Sequence, residues 1–341
     1  MSKIYKCEGC GGLLVFDPDS QALRCEYCKS IYHFAGGSKP GVFKQPYSGS
    51  LVYKQEKETN PLYECCNCHT RLTGNQDTPV TRCVSCSSTD LKKVKGEGVH
   101  PTALIPFKIS KKKASECFAE WIETRKFAPN DLKKMAKLEK MSGFYAPVYS
   151  FDLTAVTEYS AVGINNWKDK EGREHSSSKK VCGTESKEYL DYIVSASRAV
   201  GTEVYAGFGG YDTADVVGGP SEYLLGFSGV NTDFDVHFGH MTMRRGVENK
   251  EEFRIRELLK TRFDEVSRLR ITTTIRNVFN CYYFAPIWVN HYRYKNKDYN
   301  CYVNGQTGKV FGKAPKSIWK ILALVLGVTA FVVFVAYLLT R

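Results

Sequence analysis

The opening residues MSKIYKCEGC hold no apolar run of the kind a signal peptide requires, so export of the chain's body is not expected. A Walker-type phosphate loop is also missing. Gly305-Gln306-Thr307-Gly308-Lys309 comes nearest, but it lacks the four-residue interval between its glycines and the Ser or Thr that must follow the Lys, which leaves ATPase and helicase activities without support. The cysteine-bearing region has no arginine-rich or aromatic-interleaved run. Across residues 1–95, thirteen Lys and Arg stand against nine Asp and Glu, too even a balance for an electrostatic footprint on nucleic acid. Nor do the other chemistry-bearing side chains converge. His237-x-x-His240, with Met241 and Met243 nearby, is expected on a strand, where a three-residue offset sends the imidazoles to opposite faces. Asp233 and Asp235 offer paired carboxylates on one strand face without an evident metal or base partner, and Cys117, Cys182, Cys281 and Cys301 are scattered. Cys117 falls on an apolar helix face, where a buried, inert thiol is the normal case. Catalytic residues and a bound organic cofactor are accordingly not expected, and the chain is expected not to be an enzyme.

Charge is absent from one further place, and there the absence is informative. ILALVLGVTAFVVFVAYLL, from Ile321 to Leu339, contains no charge, and nineteen helical residues at ~1.5 Å each span about the ~30 Å of a bilayer's hydrocarbon core. A single transmembrane helix over 321–339 is expected, since a buried core helix is rarely uncharged all round for this length. Lys309, Lys313, Lys316 and Lys320 lie on its N-terminal side with Trp319 at headgroup level, and only Thr340 and Arg341 follow. That bias predicts a single-pass cell-membrane protein with a C-terminal anchor and its N-terminal body in the cytoplasm. The rest of the composition is that of a folded protein. It is 43% hydrophobic and 25% charged, and its 13% aromatics, with 21 tyrosines and 19 phenylalanines, favour sheet. The formal charge of +12 suits an anionic membrane surface and nucleic acid alike.

Thirteen cysteines are the surplus. Fourteen residues separate Cys7-x-x-Cys10 from Cys25-x-x-Cys28, and fourteen again separate Cys65-x-x-Cys68 from Cys83-x-x-Cys86. One motif occurs twice. A CxxC turn aims two sulfurs at an ion ~2.3 Å away, and two such turns complete a tetrahedral set of four thiolates. In the first copy LLVF, Asp17-Pro18-Asp19-Ser20 and ALR read as a hairpin; the second has Thr70 to Leu72, a turn around Gly74-Asn75, and PVTR. Two zinc ribbons are expected, with Cys7, Cys10, Cys25 and Cys28 holding one structural Zn2+ and Cys65, Cys68, Cys83 and Cys86 the other. Rubredoxin-like iron takes the same ligand set, and disulfides would need an oxidising compartment. Cys66 or His69 could replace a ligand if the register shifted, but the equal spacing favours Cys65 and Cys68; His33 is expected at the surface. Units this small have almost no core, so the metal would supply their folding energy, ~10 to 16 kcal/mol in finger peptides. Two four-thiolate centres would also bring the formal +4 of residues 1–95 to about zero.

Between the copies, residues 36–61 are rich in Gly, Ser, Pro and Lys, the composition of a linker with a short strand at Ser50 to Tyr53, so the ribbons are expected to move independently. ALIPFKI at 103–109 reads as a strand. Ser110 caps a helix, KKKASECFAEWIETRKF, with Ala114, Cys117, Phe118, Trp121 and Ile122 on one face, and Pro129-Asn130-Asp131 starts a second, LKKMAKLEK. Their lysines (111–113, 133, 134, 137 and 140) read as a solvated face in preference to a lipid or nucleic-acid patch. Strands are expected from Gly143, then a polar loop from Lys168 to Lys180, more strand through Phe238, a helix over about Glu251 to Arg270, and sheet again to Gly312 with turns at Asn296-Lys297-Asp298 and Asn304-Gly305. The fold class is α+β: two N-terminal zinc ribbons, a mainly antiparallel β-rich domain with flanking helices, and one C-terminal transmembrane helix. Its divisions are ribbon 1 (1–35), linker (36–61), ribbon 2 (62–95), the α+β domain (96–312), a basic juxtamembrane segment (313–320) and the membrane helix (321–339).

The four CxxC turns, ALIPFKIS with FAEWI, MSGFYAPVYSFD, and the closing APIWVNHYRYKNKDYNCYVNGQTGKVFGKAPKS before one membrane span resemble the bacterial TFIIB-type zinc-ribbon membrane proteins of the YdjG kind. The resemblance covers most of the chain, with Tyr149 standing where Trp is expected. It implies a protein that cooperates with a phage-shock-protein-A-like, ESCRT-III-related coat protein and with a second membrane protein in envelope stress. The expected function is thus a membrane-anchored zinc-ribbon adaptor or scaffold that recruits such a protein partner to the cytoplasmic membrane. The alternative is a membrane-tethered zinc-ribbon protein that binds nucleic acid or associates with transcription or replication, an analogy at the level of the ribbon fold.

Overall fold

The computed structural model describes residues 5–34, 44–49, 60–74, 80–98, 103–135, 141–218, 221–295 and 297–339. The first four-cysteine unit is a small antiparallel sheet of β1 (Leu14–Asp17), β2 (Ala22–Cys25) and β3 (Ile31–Tyr32). Strand β4 (Gln45–Pro46) follows, and then the second unit with β5 (Asn60–Cys65), β6 (Arg71–Thr73) and β7 (Leu91–Gly98). The body continues through β8 (Ala103–Leu104), α1 (Lys111–Glu123), α2 (Asn130–Met135), the long strands β9 (Met141–Lys168) and β10 (Glu174–Ser195), α3 (Thr202–Phe208), β11 (Val217–Gly218) and β12 (Ser228–Val230). Helix α4 (Val236–Lys260), the longest strand β13 (Glu265–Tyr294), β14 (Lys297–Asn304), β15 (Val310–Gly312) and the tail helix α5 (Ile318–Leu339) complete it. Helices flanking a mainly antiparallel sheet make this an α+β protein.

The sheet is built on β9. It pairs antiparallel with β13 from Met141–Asn290 to Ile164–Glu265, and with β10 along its other edge out to Lys168–Glu174. Toward the body both faces of β9 are covered, so Phe144 to Phe151 are buried without alternation; beyond Leu153 burial alternates, because one face of a three-stranded arm meets solvent. On one body face Tyr145, Tyr149, Phe284 and Trp288 pack with Phe107 and α1. On the other, Phe144, Val148, Tyr283 and Ile287 pack with α3 and with Leu72, Cys65 and Cys83 of the second four-cysteine unit.

Three expectations change here. The expected loop at 168–180 is mostly strand: the chain turns at 169–173 and returns as β10, whose outer residues are exposed and polar and therefore carry no hydrophobic signal. The helix expected over 251–270 runs instead from Val236 to Lys260, and β13 has begun by Glu265. Its buried positions are Val236, Gly239, Met243, Val247, Glu251, Ile255 and Leu259, regular helical spacing in which a glycine and a glutamate break the apolar stripe. Gly239 is required by a close approach, since a Cβ there would lie 2.7 Å from the Tyr149 ring. The strand expected at 103–109 shortens to Ala103–Leu104. By contrast α1 is capped by Ser110 as expected and buries Ala114, Phe118 and Ile122. The expected strand at 50–53 and the residues Asn75, Asn296, Lys137 and Lys140 lie outside the described residues.

Independent movement of the ribbons is not what the contacts provide. Strand β12 pairs with β6 on one side and β9 on the other, so the second unit is an extension of the main sheet. The first unit is held by the Phe16 N–H, which donates to the Leu225 carbonyl at 2.9 Å, and by Phe16 packed edge-on against Tyr223. Within 44–49, β4 pairs with β13, and the Lys44 ammonium sits 2.6 Å from Asp152 and 2.9 Å from Asp191 at a bulge in β10.

Candidate metal centres and membrane helix

All eight expected cysteines are brought together in the two expected groups, the Sγ atoms of each lying within 4.8 Å of one another. Across the first group Cys7 faces Cys28 at 3.4 Å and Cys10 faces Cys25 at 3.5 Å; across the second, Cys65–Cys86 and Cys68–Cys83 are each 3.5 Å apart. An ion bound tetrahedrally at ~2.3 Å sets its sulfurs about 3.8 Å apart, whereas a disulfide would place them at ~2.05 Å. Every cysteine is free. The donor set therefore fits a four-thiolate metal ion in both places.

One backbone device forms all four turns. The N–H of the first cysteine donates to the carbonyl five residues on, and the N–H four residues on donates back to that cysteine's carbonyl: Cys7 with Gly12 and Gly11, Cys25 with Ser30 and Lys29, Cys65 with Thr70 and His69, Cys83 with Ser88 and Ser87, all at 2.8–3.1 Å. The fourth residue must then take a left-handed conformation. Gly11 does so without cost at φ 72°, while Lys29, His69 and Ser87 do so as non-glycine residues at 65°, 57° and 62°. His69 is thereby a turn residue and not a ligand. Its Nδ1 lies 3.3 Å from Glu64, which His69, Lys92 and Arg71 together hold below the usual carboxylate range. Cys66 is exposed outside the cluster, and His33 is exposed as expected.

A second shared feature went unread in the sequence. Each cluster has a hydroxyl two residues beyond a cysteine, Ser30 after Cys28 and Thr70 after Cys68, with each oxygen 3.2 Å from sulfur. The Ser30 hydroxyl and amide hold the Cys28 thiol down to about 6. Burial opposes ionisation of Cys68, and the Thr70 hydroxyl and amide still hold it down to about 6. Thiolates are the ligating form, and in each cluster the lowered thiol sits beside raised ones: against the Gly12 amide, Cys25 and Cys28 push the Cys10 thiol up to about 12, and burial raises Cys83 and Cys86. The signal was present in the sequence as a Ser or Thr two residues after the closing cysteine of a CxxC, on the second turn of the first copy and the first turn of the second.

The chain is 24% identical over 337 residues to a Bacillus subtilis (strain 168) protein described as "Uncharacterized protein YdjG". That alignment covers 95% of this chain and 93% of that protein, so the likeness extends well beyond the cysteine-bearing region. No family model matches the chain, and no solved structure matches it.

The remaining candidates sort differently. His237 and His240 lie on the first turns of α4, not on a strand, so they share a face and grip Tyr47: its ring stacks on His240 at 4.2 Å and its hydroxyl lies 3.3 Å from His237 Nδ1. Asp235 caps α4 by accepting from the Phe238 N–H, and Asp233 accepts from the Ser197 hydroxyl and the Arg198 N–H. Both carboxylates are thus structural. The Gly305–Gly308 segment is the β14–β15 turn, with Gln306 buried and bonded to the Asp212 backbone. Cys281 and Cys301 are buried, Cys117 is half-buried and Cys182 is exposed on β10. Burial raises the Cys117 thiol and pushes Cys281 up to about 12, leaving neither reactive.

Helix α5 is long and apolar enough to cross a membrane, and none of it is buried in the protein. It begins three residues earlier than expected, and the Lys320 ammonium is engaged by the body, donating to the Ala128 carbonyl at 2.6 Å and to Asn130 at 2.8 Å.

Proposed function

We propose that this chain is a membrane-anchored adaptor, with structural zinc in both four-cysteine centres, its body in the cytoplasm and α5 spanning the cell membrane. The observation that carries this is the closure of both centres: four thiolates framed by backbone turns leave no open coordination position, and among the described residues no other Cys, His, Asp or Glu joins either group. Such a centre rigidifies surface and does no chemistry. Tethering then raises the local concentration of whatever that surface recruits. The partner we propose is a phage-shock-protein-A-like coat protein, together with a second membrane protein, in envelope stress. Lys313 and Lys316, exposed just before α5, favour the cytoplasmic side for the body.

The test is affinity capture of the full-length protein from mildly solubilised membranes, beside a variant with Cys7, Cys10, Cys65 and Cys68 changed to Ser. Recovery of a coat-like protein by the parent and its loss from the variant is the expected result. Recovery of nuclease-sensitive nucleic acid or polymerase components instead would overturn the adaptor assignment. Added protease should leave the body intact in spheroplasts; rapid digestion would reverse the orientation.

A further inference from the structure

The segment joining α1 to α2 is far from α5 in sequence and bonded to its base in space. The Ser317 N–H donates to the Phe127 carbonyl at 2.8 Å, and Lys320 on the first turn of α5 reaches across to Ala128 and Asn130. If the hydrocarbon core begins at Ile321, Ser317 lies four residues out, about 6 Å along a helix of ~1.5 Å rise, within a headgroup layer roughly 5 to 8 Å deep. The Phe127 carbonyl is fixed to that level.

Its surroundings suit the place. Phe127 is exposed although apolar, as are Ile318 and Trp319, each 78% exposed on the facing helix. Arg125 lies over the Trp121 ring at 4.4 Å, and Lys126 and Lys316 are exposed. The acids of the same corner are Glu123 and Asp131, the latter accepting from the Tyr294 hydroxyl at 3.1 Å. An aromatic ring among basic side chains beside a membrane helix matches the chemistry of an anionic bilayer surface: apolar body below, cations at the phosphates.

We infer that the α1–α2 corner, Arg125 to Phe127 with Lys316, is a contact site for anionic lipid headgroups, with the Phe127 ring seated among them. The assignment rests on the membrane-spanning role proposed for α5. It gives the body a second point of attachment, so that the sheet meets the membrane at a set angle and does not swivel about a single helix.

The test places the photo-crosslinker p-benzoyl-phenylalanine at Phe127 and, separately, at Leu326 in the full chain, reconstituted into nanodiscs of phosphatidylglycerol with phosphatidylethanolamine or of phosphatidylcholine alone. Both positions should crosslink to lipid in the anionic discs. The Phe127 yield should fall about fivefold or more in the neutral discs, or when Arg125, Lys126 and Lys316 are changed to Glu, while the Leu326 yield holds. Lipid crosslinks at Leu326 but not at Phe127 would overturn the corner's assignment and leave the spanning role standing. Failure at Leu326 would remove the spanning role and the inference with it. Equal Phe127 yields in the two lipids, or a crosslinked dimer of the chain at that position, would likewise overturn it.

Discussion

Glu251 is the most exacting test of how the arm is held. The carboxylate is fully buried in the middle of α4, facing the sheet, where it accepts from the Thr157 hydroxyl at 2.9 Å, the Tyr189 hydroxyl at 2.6 Å and Arg254 at 2.7–3.2 Å. It joins α4 to β9 and β10 at one point. Changing Glu251 to Ala leaves Arg254, among the described residues, with Glu185 at 3.7 Å as its ion-pair partner, and strips Tyr189 of its acceptor; Thr157 keeps Thr273 at 3.1 Å. Breaking a buried pair costs about 3–5 kcal/mol, and because the Arg254 side chain is 27% exposed and can recover some hydration, we expect about 3 kcal/mol. Glu251→Gln keeps an acceptor oxygen and should cost about 2 kcal/mol, while replacing both Glu251 and Arg254 with Met removes the unpaired cation and should cost about 1 kcal/mol, the loss of the Tyr189 acceptor.

The pH dependence has a defined sign. Burial would raise the Glu251 pKa, but Arg254, Tyr189 and Thr157 more than offset it and hold the carboxyl below its ordinary range. The contribution is therefore complete above an unfolded value of ~4.3 and is lost as pH falls through the folded pKa, so parent and Gln variant should converge in acid. Urea titration of the full chain in nanodiscs, followed by exchange protection of β9 and β10, provides the measurement. A Glu251→Ala variant within about 0.5 kcal/mol of the parent at neutral pH would refute the pin.

Two further outcomes are expected. Elemental analysis should find two metal ions per chain, with Cys7→Ser and Cys65→Ser each losing one; Cys65→Ser should also expose β12 and the body end of β9 to exchange, because β6 is in their ladder, whereas Cys7→Ser should not. One ion or none in the parent, or equal exchange in the two variants, would count against this. Burial, with Arg244 and His237 nearby, lowers the His240 pKa, so the unfolded chain takes that proton first and the Tyr47 stack contributes fully above ~6.5 and fades as pH falls below it. An imidazole resonance titrating below 6.5 and absent from His240→Gln would bear this out; a parent with every histidine at or above ~6.5 would not.

The cysteine clusters and tail helix were legible because each is specified by local spacing. Cys7 to Cys28 and Cys65 to Cys86 name their partners by offset, and Ile321 to Leu339 needs no partner to be apolar. The part of the 236–260 helix that precedes Glu251 was not legible for the opposite reason. Two of the helix's seven buried positions do their packing through other residues: Gly239 makes room for Tyr149, and Glu251 is acceptable inside only because Thr157, Tyr189 and Arg254 are brought to it. Those partners lie between 3 and 94 residues away, and a periodicity count sees none of them. The outer end of β10, read as part of a loop at 168–180, was missed likewise, since its polar residues are strand by virtue of β9 alone.

The same distinction explains how the parts of the molecule are coupled. A ribbon specified only by its own metal could hang freely from a linker, but β6 is bonded to β12, β12 to β9, and β9 to β13. Strand β13 pairs with β14, its Tyr292 hydroxyl donates to the Lys313 carbonyl at 3.0 Å, and five residues later α5 begins. Hydrogen bonds thus link the second four-cysteine unit through the sheet to Lys313, five residues of chain before the tail helix. Whatever binds at that cluster is therefore presented at a distance and angle from the helix set by the sheet. A flexible tether would give proximity alone, whereas this path also fixes geometry, which the adaptor role proposed above would use.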